Sequence, residues 1–251
     1  MENAIEIKNL CKTFGTKKAV DNLNLEIKKG ELFSLLGVNG AGKTTTIKML
    51  CGLCSATSGD ATLEGFSIAN EPIKVKEVIN VSPQETAIAQ NLTVRENLEF
   101  IAGIYGASKA EQIEKAQKMI EDFNLREFEN QKAKTLSGGW QRRLSIAMAL
   151  ISNPKILFLD EPTLGLDVLA RRELWNVISA LKGKITIILT THYLEEAESL
   201  SDRIGIMANG KLKALGTASE LVEKAEAKNF EDAFVSLCTE NSNTIGGKNE
   251  N

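Results

Sequence analysis

The first thirty residues alternate between apolar and polar positions. Ile5 and Ile7 have polar neighbours, and Leu23, Leu25 and Ile27 repeat the pattern. A period of two places every second side chain on one face of an extended chain. We therefore predict two half-buried strands that pair in an antiparallel manner.

Short continuous apolar runs indicate strands that are buried on both faces. These runs are Leu32–Leu36, Val78–Val81, Ile156–Leu159 and Ile185–Leu189. A hairpin is predicted over Ile204–Leu215, because Asn209-Gly210 separates two apolar stretches and suits a type I′ turn.

A helical region is predicted between Asn91 and Pro154. Ser108 and Glu111 have the spacing of a capping box. The apolar residues that then fall on one helical face are Ile113, Ala116, Ile120 and Phe123. A further amphipathic helix is predicted from the spacing of Leu174, Val177, Ile178 and Leu181.

The composition is that of a globular protein. The 251 residues include 30 Lys+Arg and 33 Asp+Glu, a net charge of −3, with 43 % hydrophobic residues. These values argue against a disordered, collagen-like or coiled-coil chain, and no concentrated basic surface is expected for nucleic acid. No apolar run approaches the length needed to cross a bilayer, and Met1–Leu10 does not have the pattern of a signal peptide. The cytosol is the expected compartment.

The four cysteines are too few for a disulfide framework in a chain of this length. Cys51 and Cys54 have the spacing of a metal or redox pair. Zinc prefers four ligands, however, and His192 is the only histidine. We interpret both cysteines as small buried residues of a helix.

The segment Gly37-Val-Asn39-Gly40-Ala-Gly42-Lys43-Thr44 has the pattern of a phosphate-binding loop. It follows a buried strand and precedes a helical segment, as such a loop must. Its glycines allow backbone N–H groups to point at an anion, and the next helix adds its positive dipole end.

Two acids follow the apolar run that ends at Leu159. Asp160 at the end of a strand is suited to hold Mg²⁺, and Glu161 is suited to orient or deprotonate a water. Farther back, Ser137-Gly138-Gly139 opens an apolar helix, where a serine N-cap and accessible N–H groups suit an anion.

Taken in order, these motifs resemble the nucleotide-binding subunit of ATP-binding cassette (ABC) transporters over residues 4–235. Gly37–Thr44 resembles Walker A, Gln84 the Q-loop glutamine, Leu136–Gly139 the signature motif, and Ile156–Asp160 Walker B. Glu161 resembles the catalytic glutamate, Asp167 the end of the D-loop and His192 the switch histidine. Phe14 stands where the family stacks an aromatic ring on adenine, although tyrosine is commoner there. Trp140 replaces the usual glutamine after the signature motif.

The resemblance implies a set of site residues for ATP and Mg²⁺. The implied ATP contacts are Phe14, Gly37, Asn39, Gly40, Gly42, Lys43, Thr44, Thr45, Ser137, Gly138, Gly139 and Asp167. The implied catalytic residues are Glu161, His192 and Gln84, and the implied Mg²⁺ ligands are Thr44, Gln84 and Asp160.

The resemblance also implies an α/β fold. It would be a P-loop NTPase with a RecA-like core, an antiparallel β subdomain and an inserted α-helical subdomain. The ABC ATPase domain would span residues 4–235, with its core at about 4–90 and 154–235 and the helical subdomain at about 91–153. Residues 236–251, which are polar and Gly-rich, would form a flexible tail.

The implied partners are a second copy of the chain and a membrane permease. The signature of one subunit would complete the ATP site of the other, giving a homodimer with ATP at its interface. A separate integral membrane permease would dock near residues 84–106 at the cytoplasmic face of the membrane, and no nucleic acid partner is expected. The segments 91–106 and 165–175 are most similar to the drug, lipid and polysaccharide efflux group, which favours export.

A soluble ABC ATPase is the alternative function. DNA-maintenance members carry a long coiled coil between Walker A and the signature motif, and ribosome-acting members carry two cassettes; neither feature occurs here. A role in metal-cluster assembly stays open, with Cys51 and Cys54 as its only support.

Overall fold

The computed structural model describes residues 2–239 as two β-sheets with associated helices. The strands are β1 (Asn3–Phe14), β2 (Lys17–Lys28), β3 (Leu32–Leu36), β4 (Ser58–Leu63), β5 (Phe66–Ser67), β6 (Ile79–Ser82), β7 (Ile156–Asp160), β8 (Thr186–Thr191), β9 (Arg203–Ala208) and β10 (Lys211–Gly216). The helices are α1 (Lys43–Leu50), α2 (Pro72–Val78), α3 (Val94–Ile104), α4 (Lys109–Asp122), α5 (Gly138–Leu150), α6 (Val168–Ser179), α7 (Leu194–Leu200), α8 (Ala218–Lys224) and α9 (Phe230–Thr239). Short 3₁₀ turns occur at Arg126–Phe128 and Ala133–Thr135.

The larger sheet has six strands in the order β10-β9-β3-β8-β7-β6. β9, β3, β8, β7 and β6 are parallel, and β10 pairs antiparallel with β9 at one edge. The apolar runs predicted as buried strands form β3, β6, β7 and β8. The register pairs Leu36 with Thr191 and Asp160 with Thr190, so the carboxyl ends of β3, β7 and β8 lie side by side.

The smaller sheet is antiparallel, in the order β2-β1-β4-β5. Ile5, Ile7, Leu23, Leu25 and Ile27 are all buried, which confirms the strand alternation seen in the sequence. Their side chains belong to one apolar cluster with residues of α1 and of the larger sheet. Helix α1 is thereby held between the two sheets.

The hairpin predicted at the end of the sheet is present. Ala208 pairs with Lys211, so Asn209 and Gly210 form a two-residue loop between β9 and β10. Their φ angles are +52° and +76°. Two consecutive positive φ angles are what a type I′ turn requires.

Helices α3, α4 and α5 pack together between β6 and β7 in the chain. Ser108 caps α4 in the predicted capping box with Glu111. Ala116, Ile120 and Phe123 of the predicted face are buried, whereas Ile113 on the same face is 47 % exposed. Periodicity identifies a helical face but does not show how far neighbouring elements cover it, and Ile113 lies near the start of α4.

The two cysteines also depart from the prediction. Cys51 is buried where α1 ends, whereas Cys54 is only partly buried in the turn that follows the helix. Burial raises the pKa of the Cys51 thiol well above its ordinary value. A thiol that stays protonated is a poor metal ligand or nucleophile.

Helix α9 changes the boundary expected for the tail. It continues to Thr239 and buries Phe230, Ala233 and Leu237 beside α8. Residues 236–239 are therefore helical, while the rest of the tail expected at 236–251 lies outside the described residues. None of the described helices has both the length and the apolar character needed to cross a bilayer.

Helix α4 provides a paired test of this packing. Ile120→Ala should lower the free energy of unfolding by about 2–5 kcal/mol, because it leaves a cavity at a fully buried position. Ile113→Ala, the same change on the same helix, should cost no more than about 0.5 kcal/mol. Urea denaturation of both variants checks this. Equal losses would contradict the burial difference.

Candidate functional site

The phosphate-binding loop connects β3 to α1, and close backbone contacts require two of its glycines. A Cβ on Gly37 would lie 2.3 Å from the carbonyl oxygen of Met207, and one on Gly42 would lie 2.5 Å from that of Ala19. Gly42 also has a φ of +110°, at the N-cap of α1. Only glycine fits these two positions without moving the backbone.

Lys43 is the first residue of α1 and is only 5 % exposed. Its Nζ donates to the carbonyl oxygen of Gly37 at 2.6 Å and lies 3.4 Å from Glu161 Oε1. A buried ammonium group must keep such partners. These contacts hold the cation inside the curve of its own loop, where it faces any anion that the loop binds.

Asp160 ends β7 and is buried beside the loop. Its Oδ1 accepts a hydrogen bond from Thr190 Oγ1 at 2.5 Å and lies 3.3 Å from Thr44 Oγ1. The carboxylate is therefore fixed by the adjacent strand β8. A hydroxyl and a carboxylate oxygen side by side are the donor types that Mg²⁺ prefers.

Glu161 has a φ of +49°, a left-handed conformation that is rare for a residue other than glycine or asparagine. Its backbone N–H holds this geometry by donating to the Thr190 carbonyl at 3.1 Å. The turn places the carboxylate between two groups, with Oε1 3.4 Å from Lys43 Nζ and Oε2 2.7 Å from His192 Nδ1. Backbone strain of this kind is typical of functional sites.

His192 follows β8, and its side chain is 28 % exposed. Its contact with Glu161 joins the end of β8 to the end of β7. Since the register places these strand ends together, the contact follows from the sheet topology.

Lys43, Thr44, Glu161 and His192 line one cavity of about 390 Å³. The predicted site residues that line it are Phe14, Asn39, Gly40, Gly42, Lys43, Thr44, Thr45, Gln84, Glu161 and His192. Lys17, Ala19, Ala41 and Leu164 also line it and were not predicted. Phe14 is 53 % exposed at the cavity, with Lys12 Nζ 4.9 Å from its ring centroid.

Gly37 and Asp160 contact the lining residues Lys43 and Thr44 but do not themselves line this cavity. Four further predicted residues, Ser137, Gly138, Gly139 and Asp167, also do not line it. The first three begin α5, and Asp167 caps α6 by accepting from the Leu169 and Ala170 N–H groups. The two segments are neighbours, because a Cβ on Gly139 would lie 3.1 Å from Ala170 Cβ. Ser137 is an exposed N-cap whose side chain makes no capping hydrogen bond. A second polar surface thus lies apart from the cavity within this chain.

Trp140 packs inward from the start of α5. Its ring centroid is 4.5 Å from that of Phe128, and the Arg143 guanidinium lies 4.2 Å from the indole. Arg143 in turn contacts Glu173 of α6 at 3.1 Å. The tryptophan therefore braces the first turn of α5 and leaves Ser137 exposed.

Arg142 is an important residue that the sequence analysis did not single out. It is buried, and it donates to the carbonyl oxygens of Pro83 and Gln84 and, at 2.7 Å, to that of Asp160. The Gln84 segment is thus tied to the end of β7. The sequence did show an arginine within the apolar pattern of α5. It could not show what this arginine contacts, because the partners are distant in sequence.

Glu196 in α7 is a second buried charge that the sequence did not reveal. It is fully buried, its Oε1 accepts from Trp175 Nε1 at 3.1 Å, and its Oε2 has no hydrogen-bond partner. Burial raises the pKa of the Glu196 carboxyl above its ordinary value. Side-chain hydrogen bonds, including that of Trp175, offset part of this rise, and the negative charge of Glu161 adds a smaller one. The positive charge of Arg142 also faces this group.

The chain is similar to known ATP-binding proteins. The family model described as ABC transporter matches residues 20–164. A probable multidrug ABC transporter ATP-binding protein of Escherichia coli (YbhF) is 42 % identical, over 94 % of this chain and 42 % of its own length. The linearmycin resistance ATP-binding protein LnrL of Bacillus subtilis is 40 % identical, over 98 % of this chain and 76 % of its own. This chain spans less than half the length of the first of these relatives.

Two solved structures share the fold. An ATP-binding subunit of an ABC transporter has a TM-score of 0.81 and 29 % identity, over 93 % of this chain and 99 % of its own. A dimeric ATP-binding cassette in a post-hydrolysis state, bound to ADP and phosphate, has a TM-score of 0.75 and 27 % identity. It covers 85 % of this chain and 98 % of its own. The α/β fold of a P-loop NTPase is therefore confirmed.

The buried Glu196 predicts a specific pH dependence of stability. The folded state holds the Glu196 proton to higher pH than the unfolded state, so this group's contribution to stability falls as pH rises above about 4.5. Glu196→Gln keeps an acceptor for Trp175 and removes the titration. Relative to the wild type, the variant should therefore become more stable between pH 5 and about pH 8.

Urea unfolding at both pH values measures this difference. Glu195→Gln is the matched control, because Glu195 is the exposed neighbour in α7. If the Glu196→Gln and wild-type stabilities ran parallel with pH, Glu196 would not titrate as described.

Proposed function

Because this chain belongs to the ABC transporter family, we propose that it binds and hydrolyses ATP to power transport through a separate membrane permease. The observation that carries the proposal is the meeting of Lys43, Glu161 and His192 at the mouth of the phosphate-binding loop. The loop supplies anion recognition. The carboxylate of Glu161 and the imidazole of His192 supply groups that can bind a water molecule and accept a proton.

Lys43 and the N–H groups of the loop would bind the β- and γ-phosphates. The present partners of Lys43 are backbone carbonyls and Glu161, so a phosphate would offer it a stronger, charged acceptor. Glu161 would orient the attacking water and accept its proton. His192, held against the other oxygen of Glu161, would fix that carboxylate and contact the γ-phosphate.

The residues present fit a magnesium ion. Thr44 and Asp160 bring a hydroxyl and a buried carboxylate together, and Gln84 borders the same cavity. Mg²⁺ bound by these groups would neutralise charge on the phosphates. Thr190 orients the carboxylate of Asp160 for this role.

The base of the nucleotide would stack on Phe14 at the cavity entrance. Half of this ring is exposed, and stacking on an aromatic face tolerates different bases. Lys12 contacts the same ring and is anchored by the Ser55 carbonyl at 2.6 Å.

The second polar surface supports a homodimer. Ser137, Gly138 and Gly139 offer N–H groups at a helix N-terminus, which suits an anion, but they lie outside the cavity of their own chain. In a two-fold dimer the surface of one subunit would cover the cavity of the other, with ATP between them. Asp167, beside this surface, would reach the same interface.

A membrane permease would dock on the face near Gln84. Exposed apolar residues occur on α3 and at its C-cap, namely Phe100, Ile104 and Tyr105. Arg142 would couple that face to the site, because it binds the carbonyls of both Gln84 and Asp160. The chain would then act at the cytoplasmic face of a membrane, where ATP is available.

Export is the proposed direction of transport. The relatives are named for multidrug transport and linearmycin resistance, and human ABCA3, 42 % identical over 88 % of this chain and 13 % of its own length, is named as phospholipid-transporting. No observation on the described residues favours the alternative of metal-cluster assembly, since the buried Cys51 is kept as a neutral thiol.

Glu161→Gln tests the catalytic proposal. It keeps the shape of the side chain but removes the base, so ATP hydrolysis should fall about 10²–10⁴-fold while ATP still binds. Phosphate release and fluorescent-nucleotide binding measure the two properties. Glu195→Gln, an exposed change in α7, serves as control. Near-normal turnover in Glu161→Gln would remove Glu161 from this role.

Ser137→Arg tests the dimer. A long cation at the exposed N-cap of α5 should prevent ATP-driven dimerisation in the Glu161→Gln background, because it occupies the surface meant for the partner's phosphate. ATP binding to the monomer should be unchanged. Size-exclusion chromatography with light scattering, with and without ATP, measures this, and Ser108→Arg at the N-cap of α4 is the control. Loss of monomer binding would contradict a site shared by two subunits.

A further inference from the structure

Tyr193, the residue after His192, contacts both the histidine ring and helix α6. The ring centroids of Tyr193 and His192 are 4.2 Å apart, with planes inclined by 37°. The guanidinium carbon of Arg171, in the first turn of α6, lies 4.4 Å from the centroid of the Tyr193 ring. The histidine that contacts Glu161 is therefore linked through two stacked contacts to a neighbouring helix.

Within residues 2–239, the Arg171 side chain forms no ion pair. Among residues 2–239, the arginine side chains that form ion pairs are Arg95, Arg126, Arg143 and Arg203. The Arg171 Nε is buried without a hydrogen-bond partner. A buried guanidinium edge without a carboxylate is costly unless another contact offsets it. The Tyr193 ring face is the contact that the structure provides.

A second contact fixes the same two helices. Trp175 lies one turn after Arg171 on α6, and its Nε1 donates to Glu196 of α7 at 3.1 Å. Glu196 lies three residues after Tyr193, so the two contacts are parallel links between α6 and the His192–α7 segment. The Tyr193 backbone N–H also donates to Thr191 Oγ1 at 2.9 Å. The ring of Tyr193 thus has a defined place relative to α6.

We propose that Tyr193 is a positioning residue for His192, and that Arg171 of α6 holds Tyr193 in place. The stack keeps the imidazole directed at Glu161 and makes the position of α6 part of the catalytic geometry. Since Asp167 caps α6 four residues before Arg171, a shift of that helix end reaches His192 through this stack. The proposal rests on the proposed function only in giving His192 a role in hydrolysis.

The first test is a spectroscopic one that needs no ATPase activity. His192 is the only histidine of the chain, so its imidazole carbon-bound protons give unique signals in the full, untagged protein by NMR. Arg171→Met should shift or broaden these signals, because Tyr193 loses its support. Arg172→Met is the matched control, since Arg172 is the same residue type at the next, exposed position. Overlapping spectra for wild type, Arg171→Met and Arg172→Met would overturn the proposal.

The second test separates kcat from KM in ATP hydrolysis. Tyr193→Leu should lower kcat about tenfold and Arg171→Met about two- to tenfold, the range for a cation–π contact, with KM for ATP nearly unchanged. Tyr193→Phe, which keeps the ring, should restore near-normal kcat. A loss confined to KM, or an equal loss in Arg172→Met, would overturn the proposal.

The third test uses a His192→Ala background. If Tyr193 acts through His192, adding Tyr193→Leu to His192→Ala should cause no further loss of kcat. A further tenfold loss would show that Tyr193 acts by another route. If wild type and His192→Ala hydrolysed ATP equally poorly, the proposed function would fail, whereas the NMR comparison would still decide the positioning of His192.

Discussion

The parallel register of three neighbouring strands is the constraint on which the site depends. Leu36, Asp160 and Thr191 end strands that lie side by side, so the loops that follow them emerge at one edge of the sheet. Lys43, Glu161 and His192 follow those three strands and are far apart in sequence. Glu161 nevertheless contacts both of the others, with Oε1 3.4 Å from Lys43 Nζ and Oε2 2.7 Å from His192 Nδ1. A register slip in any of these strands would separate the groups, since each residue of shift moves a strand end by about 3.3 Å.

The burial of charged groups determines which contacts the site must contain. Lys43 and Glu161 are both nearly excluded from water, so each needs a partner of opposite charge or a hydrogen bond. The carbonyl of Gly37 and the imidazole of His192 supply those partners. These weak partners are replaceable by phosphate oxygens and water.

The sequence predicted the local features of this molecule well, because they depend on neighbouring residues. The glycine loop, the capping box at Ser108 and the turn at Asn209-Gly210 each follow from short-range conformational preferences. The contacts of Arg142, Glu196 and Tyr193 did not follow, because their partners are 18 to 59 residues away or were assigned no role. The exposure of Ile113 could not be predicted either, since it depends on how far other helices extend along α4.

The two polar surfaces of the chain are the basis of the proposed homodimer. The cavity is lined by residues of the phosphate-binding loop, by Glu161 and by His192, whereas the N-terminus of α5 does not line it. Trp140 and Arg143 brace that helix end, and Asp167 caps the adjacent α6. Exposed N–H groups at a helix N-terminus are well suited to bind an anion, including one held by another molecule. Because α6 also carries Arg171, which contacts Tyr193, occupation of this outer surface and the placement of His192 would share one structural element. Binding at the interface would then affect hydrolysis within the same chain through packed contacts.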